Sequence, residues 1–342
     1  MRGRDLARSA GVVAVVAAVV VAAAFAGGML LDSGTQSSAP DAPAYDTEAL
    51  QTDPVEHSGS VSAPAGAESK TVVVDVSHGN GVSENDLQPF VDALVAAGHE
   101  VQLFGGGSTS GLTSDPAAAF NETLRGADAL VAASPATAYT PNEVNGVEAF
   151  ADAGGRVLLA AEPPTTGGTT STVSVPGLSS GSTLSAAGQP TNLAAVFGVT
   201  FGDGYLYDMA ENANSFQAVY ASGDDGVADG VADAIMYDAT PVTVGGDATA
   251  VLTAGEVSLS STRVEGSYAV AARNGNVLAV GDTDFLTSGA ATAGDNDALA
   301  SNVAAFLVSG EKEPGAPEGG QAGNGQGTPI QPSLTAMVAV AP

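Results

Sequence analysis

The feature that most constrains this chain is an alternation of short β-branched runs with helical periodicities between residues 71 and 161. Thr71-Val-Val-Val-Asp-Val76 has the character of a strand buried on both faces, and Ser77-His-Gly-Asn-Gly81 breaks it. Leu87, Phe90, Val91, Leu94 and Val95 then recur at helical spacing, with Gly98 as the stop signal. Ser83 and Asp86 have capping-box spacing and are expected to open that helix. Glu100-Val-Gln-Leu-Phe104 is the next strand, and Phe120 and Leu124 mark a short helix before a third strand, Ala129-Leu-Val-Ala-Ala133. Pro141 starts a helix with Val144, Val147 and Phe150 on one face, Gly154-Gly155 closes it, and Arg156-Val-Leu-Leu-Ala-Ala161 is a fourth strand. Strands linked by helices through short loops require crossovers, so the pattern predicts an α/β fold with a doubly wound, mainly parallel, flavodoxin-like sheet.

The second half reads differently. After a Gly/Ser/Thr loop over 162–188, Leu193, Val196 and Phe197 suggest a helix. Short β-like pieces follow at Tyr205 to Tyr207, Phe216 to Tyr220, Ala250 to Thr253 and Ser267 to Ala272. This is a β-rich insertion. Val277-Leu-Ala-Val280 returns as a buried strand, and Leu299, Val303, Phe306 and Leu307 close the body with a helix. The expected folded body is 71–310, flanked by a flexible linker at 32–69 and a Gly/Pro-rich tail at 311–342. His57 in the linker is expected to have no role, and His99 after Gly98 is expected to be exposed.

The N-terminus sets an address. Arg2, Arg4 and Arg8 lie in a basic segment over 1–10, and no charge occurs between Arg8 and Asp32. The apolar stretch 11–31 is long enough, as a helix at about 1.5 Å per residue, to cross a hydrocarbon core of about 30 Å. The positive-inside rule places residues 1–10 in the cytoplasm and the bulk of the chain outside, in a single-pass signal-anchor arrangement at the cell membrane. A cleaved signal peptide is the alternative, with Ala24-Phe25-Ala26 as its site.

Composition narrows the function. Of 342 residues, 38 are acidic and 9 basic, a formal charge of −29, and none is cysteine. So few cations cannot neutralise phosphates, which argues against nucleic acid as a partner. The absence of Cys removes disulfides, thiolate metal sites and a thiol nucleophile. High negative charge costs self-repulsion in dilute salt, a cost that fades at molar salt, where the screening length is about 3 Å. A halophilic protein is the expected reading. Asp224, Asp225, Asp229 and Asp233 lack the spacing of a calcium loop and are read as acidic surface.

Four features resemble a known family. They are Ser77-His-Gly-Asn80 after the first strand, the strand end Ala132-Ala-Ser-Pro135, Gly154-Gly155 before a strand ending at Glu162, and Gly281-Asp-Thr-Asp-Phe-Leu286 followed by Asp295-Asn296 and Asn302. Together they resemble the haloarchaeal domain-of-unknown-function family 4350. The resemblance implies a class I glutamine-amidotransferase-like fold and an accessory role near membranes, and it implies no activity. Without Cys the chain is not a glutaminase, and no G-x-S-x-G elbow occurs, so no catalytic residue is assigned.

In open α/β sheets, ligands bind beyond the carboxyl ends of the strands. The residues expected there are Asp75, Ser77, His78, Asn80, Ser134, Glu162, Asp282 and Asp284. They are candidates for a polar ligand such as a glycan, and one His among carboxylates leaves a divalent cation open as cofactor. Structural roles compete: Asp282 can bond amides of its own turn, Asn80 can shape the turn before the helix, and His78 can cap or pack. Asn121-Glu-Thr123 is a glycosylation sequon. The expected function is a membrane-anchored, extracellular, non-catalytic binding or assembly module with a possible protein partner in a membrane complex. The alternatives are an accessory domain of an ABC-type transporter, or a metal-dependent hydrolase or carbohydrate-processing protein using Asp75, His78, Glu162 and Asp282.

Overall fold

A computed structural model describes residues 14–23, 54–66, 68–105, 116–164, 187–224 and 226–318. The chain divides into two units, Met1–Thr52 and Asp53–Pro342. In the first, residues 14–23 are helical with exposed side chains. No helix among the described residues is long and apolar enough to cross a membrane. Most of the expected anchor over 11–31 lies outside the described residues.

The second unit is built on an eight-stranded sheet. Its strands are β1 (Thr71–Asp75), β2 (Glu100–Phe104), β3 (Ala129–Ala133), β4 (Arg156–Ala160), β6 (Leu206–Tyr207), β10 (Thr249–Leu259), β11 (Glu265–Asn274) and β12 (Val277–Val280). They run in the order β2-β1-β3-β4-β12-β11-β10-β6. The first five pair in parallel and the last three add on antiparallel. Two small antiparallel ladders join β5 (Val199–Phe201) to β9 (Val242–Val244) and β7 (Ala218–Ala221) to β8 (Ala234–Tyr237).

Period-two alternation in the parallel strands builds two cores. Val72, Val74, Val131, Leu158 and Leu278 face α1 (Gln88–Ala96) and α5 (Asn296–Val308), meeting Phe90, Leu94, Leu299 and Val303. Val73, Leu130, Leu159 and Ala279 face α2 (Pro116–Gly126), α3 (Pro141–Asp152) and α4 (Thr191–Val196), meeting Phe120, Phe150 and Leu193. Each such Val, Leu or Phe side chain contributes roughly 1.5–3 kcal/mol by leaving water. The strands are apolar on both sides because both sides are covered.

Several expectations change. Ser83 and Asp86 do not cap α1: Asp86 accepts from the Ser83 amide and hydroxyl within a separate turn, and the helix starts at Gln88 behind Leu87. The β-rich segment lies in sequence between the parallel neighbours β4 and β12, and its strands β6, β10 and β11 extend the main sheet. Part of the expected linker packs on the domain. Residues 54–66 lie along the domain, where Ser58 donates its amide to the Thr292 carbonyl at 3.0 Å and Ser62 to Ser301 Oγ at 2.8 Å, with Val61 and Ala63 packed on the core. His57 pairs with Ala293 in that strap. His99 is buried rather than exposed, because Nδ1 accepts from the Lys70 amide and Nε2 donates to Pro64 O. At the other end, residues 311–318 of the expected tail pack on the domain. Glu313 donates its amide to Ala153 O at 2.7 Å, and Arg125 Nε donates to Pro317 O at 2.8 Å.

Candidate functional site

The parallel strands deliver their carboxyl ends to one edge of the sheet. β1 and β3 are neighbours there, and the strand order reverses between them. A crevice is expected at such a switch, and a cleft of ≈ 640 Å³ opens at this edge. The loop after β1 supplies Gly79, Gly81 and Val82, the loop after β3 supplies Ser134 and Ala136, and β4 leads into Glu162. Thr283, Asp284 and Gly289 follow β12, and Asp86, Asp238 and Tyr205 also line the wall.

The loops after β1 and β3 are zipped together. Asn80 Nδ2 donates to Ala133 O at 2.6 Å, Gly81 donates its amide to Ser134 O at 2.8 Å, and Ala136 donates its amide to His78 O at 3.0 Å. Asn80 therefore shapes the loop rather than facing a ligand. A Cβ on Gly81 would sit 2.8 Å from Ser134 Oγ, so glycine lets the two loops close. Ser134 takes a left-handed φ of 46° and is 5 % exposed. Its hydroxyl borders the cleft and makes no hydrogen bond among the described residues. A non-glycine residue with left-handed backbone is uncommon, and here it sets a serine hydroxyl at the border of the cleft.

The candidate residues separate into two networks. In the first, Asp75 and His78 are buried with two residues that the sequence reading missed, Tyr139 and Glu143. Asp75 Oδ2 accepts from Tyr139 Oη at 2.5 Å and from His78 Nδ1 at 2.8 Å, and Ser77 Oγ donates to Asp75 Oδ1 at 2.6 Å. His78 Nε2 lies 3.5 Å from Glu143 Oε2. Burial alone would lower the imidazole pKa, but hydrogen bonds to Asp75 and Glu143, with their charges, raise it to about 9. Burial opposes ionisation of Asp75 and Glu143, yet hydrogen bonding to His78 leads the effects that hold both below the usual range. This is an ion triad with an imidazolium at its centre, and both ring nitrogens are occupied. Glu143 is positioned by a full capping box with Thr140 at the start of α3. Thr140 and Glu143 at that spacing are a signal the sequence reading could have used.

The second network is acidic and borders the cleft. Glu162 Oε1 accepts from the Thr283 amide at 2.8 Å and from the Thr283 hydroxyl. Asp282 is fully buried, accepting from the Tyr237 amide at 2.8 Å and from the Asp284 amide at 2.6 Å, so it does bond its own turn. Burial pushes the Glu162 carboxyl up to about 7, with the charges of Asp284 and Asp238 adding to it. Burial likewise raises Asp282, Asp284 and Asp238. The charges of Glu162 and Asp284 add to the shift of Asp282, and those of Asp238 and Asp86 to that of Asp284. Among the described residues, no lysine, arginine or histidine borders the cleft. Asp238 was missed in sequence because it follows β8, a strand that was not anticipated.

The set Asp75, His78, Glu162 and Asp282 is thus divided between two networks. Among the described residues no three His, Asp or Glu side chains are placed to hold one metal ion. Asn121 lies within α2, with its Nδ2 donating to Asn142 O at 3.1 Å and its Oδ1 buried against Gly146. The sequon nitrogen is therefore engaged in the α2–α3 contact.

The profile of the family described as Domain of unknown function (DUF4350) matches residues 88–304. The chain belongs to this family. The matched span of the DUF4350 domain contains Ser134, Glu162, Asp238, Asp282 and Asp284, and it begins after the Asp75–His78 pair. No curated protein matches the chain. Among solved structures, "mmIFT52 N-terminal domain" is similar with a TM-score of 0.52 at 14% identity, covering 71% of this chain and 99% of that one. At that identity the likeness concerns the fold alone. It agrees with a mixed α/β DUF4350 domain around a large, mostly parallel sheet.

Proposed function

We propose that this chain is a non-catalytic binding module, held at the outer face of the cell membrane by its apolar N-terminus, whose ligand site is the cleft at the carboxyl edge of the sheet. The observation that carries the reading is the cleft at the strand switch, bordered by Ser134 on a left-handed turn, whose hydroxyl makes no hydrogen bond among the described residues. A serine on a sharp strand-to-loop turn is where a hydrolase would place its nucleophile. Here it has no base, because His78 is an imidazolium held by Asp75 and Glu143 and does not border the cleft. Binding is the use that remains for the arrangement.

The strand order β2-β1-β3-β4-β12, with α1 and α5 on one face and α2, α3 and α4 on the other, supports placing the domain in the flavodoxin-like, amidotransferase-like class. The charge of −29 supports a halophilic origin. The arginines ahead of residues 11–31 support the outward orientation.

Two experiments test this reading. Protease treatment of intact cells is expected to release the domain, and complete protection would contradict the address. Small molecules released by denaturing the purified full chain, read by mass spectrometry, are expected to include a compound that is absent from Ala136→Trp, which fills the cleft. Identical extracts would contradict the binding site.

A further inference from the structure

The cleft also indicates the kind of ligand. Its wall holds four carboxylates from four separate segments: Asp86 before α1, Glu162 after β4, Asp238 after β8 and Asp284 after β12. Lys70, Arg125, Arg156, Arg263, Arg273 and Lys312 are the basic residues of the described domain, and none borders it. The carboxylates are not gathered for a single ion, since no three are placed to hold a metal. They are spread around ≈ 640 Å³, the size of a small-molecule pocket. The wall also contains Tyr205, whose ring is 6.4 Å from that of Phe216. An aromatic face beside carboxylates favours an alkylammonium over a hydrated metal ion. Independently of the acids, the Ser134 hydroxyl borders the cleft with no hydrogen-bond partner among the described residues, and offers an acceptor for an ammonium N–H.

Resting on the reading of the cleft as a binding site, we propose that its ligand is a small organic polycation, with amine or guanidinium groups several ångströms apart that meet separate carboxylates. A cation there offsets the repulsion between the Glu162 and Asp284 carboxylates, which both border the cleft.

Titration calorimetry on the full chain with spermidine tests this, at molar salt so that exposed charges are screened. Saturable binding to one site is expected. Glu162→Gln and Asp284→Asn are expected to weaken it at least about tenfold, as loss of a charged hydrogen bond does. Ala136→Trp is expected to remove it, and Asp152→Asn on the exposed face of α3 to leave it unchanged. Weak, non-saturating heat equal in every variant would overturn the proposal and assign the effect to surface charge. Calcium chloride binding in place of spermidine would overturn it in favour of a metal. Trehalose binding that Ala136→Trp abolishes, with no spermidine binding, would overturn the cationic ligand and leave the binding cleft standing. Silence from every probe, together with identical native extracts from wild type and Ala136→Trp, would overturn both.

Discussion

At the scale of single residues, His78 and Glu162 both make stability fall as pH rises, over different windows. His78 titrates near 9 when folded and near 6.5 when unfolded, so its stabilising contribution is complete below about pH 6.5 and is lost as pH rises to about 9. Glu162 is raised from 4.5 to about 7, so the folded state holds a proton that the unfolded state has released. Stability therefore falls from about pH 4.5 to 7 on this account. Urea unfolding of Glu162→Gln across that window is expected to show a flatter profile than wild type and higher stability at pH 8. A parallel profile would contradict the burial of this carboxylate. Asp75→Ala leaves the imidazolium buried with one partner fewer and is expected to cost about 3–5 kcal/mol. A loss below about 1 kcal/mol would show the triad to be solvated. Residue chemistry was only partly legible. Asp75, His78, Glu162 and Asp282 were found because they follow strands. Tyr139 and Glu143 come from the next crossover, and their contact with His78 depends on packing between the loops after β1 and β3. The burial of His99 depends on a strap more than 30 residues upstream at Pro64.

At the scale of elements, the parallel strands were legible because each is a short run of apolar residues bounded by a turn signal. Strands β5, β8 and β9 were not, being three or four residues long and paired with distant partners. Their existence is decided by tertiary pairing rather than by pattern. Gly281 marks where such pairing meets the site: a Cβ there would lie 2.0 Å from Thr240 O, beside the backbone bond from the Thr240 amide to the Gly281 carbonyl. Gly281→Ala is expected to destabilise by at least about 2 kcal/mol in thermal unfolding, through overpacking against backbone. An unchanged midpoint would show that β12 can shift away from this loop. Thr140→Ala removes the cap of α3 and is expected to cost about 1 kcal/mol, with an additional change in the His78 titration because Glu143 loses its anchor. A cost without that change would separate the cap from the triad.

At the scale of the whole domain, strand order converts these local features into a site. One parallel block places the ends of β1, β3, β4 and β12 on a common edge, the antiparallel extension brings Tyr205 to the same cleft, and the β7–β8 ladder brings Asp238. The alternation over 71–161 made the first half of that arrangement readable. The contribution of the second half was not readable, since nothing local distinguishes a separate β insertion from a continuation of the sheet. The account is tested most directly by hydrogen exchange on the full chain, with and without the small-molecule fraction of native cells. Slowed exchange is predicted at residues 77–82, 134–137 and 283–289, and its loss in Ala136→Trp. Protection confined to other segments, or the same protection in Ala136→Trp, would contradict the cleft as the site of binding.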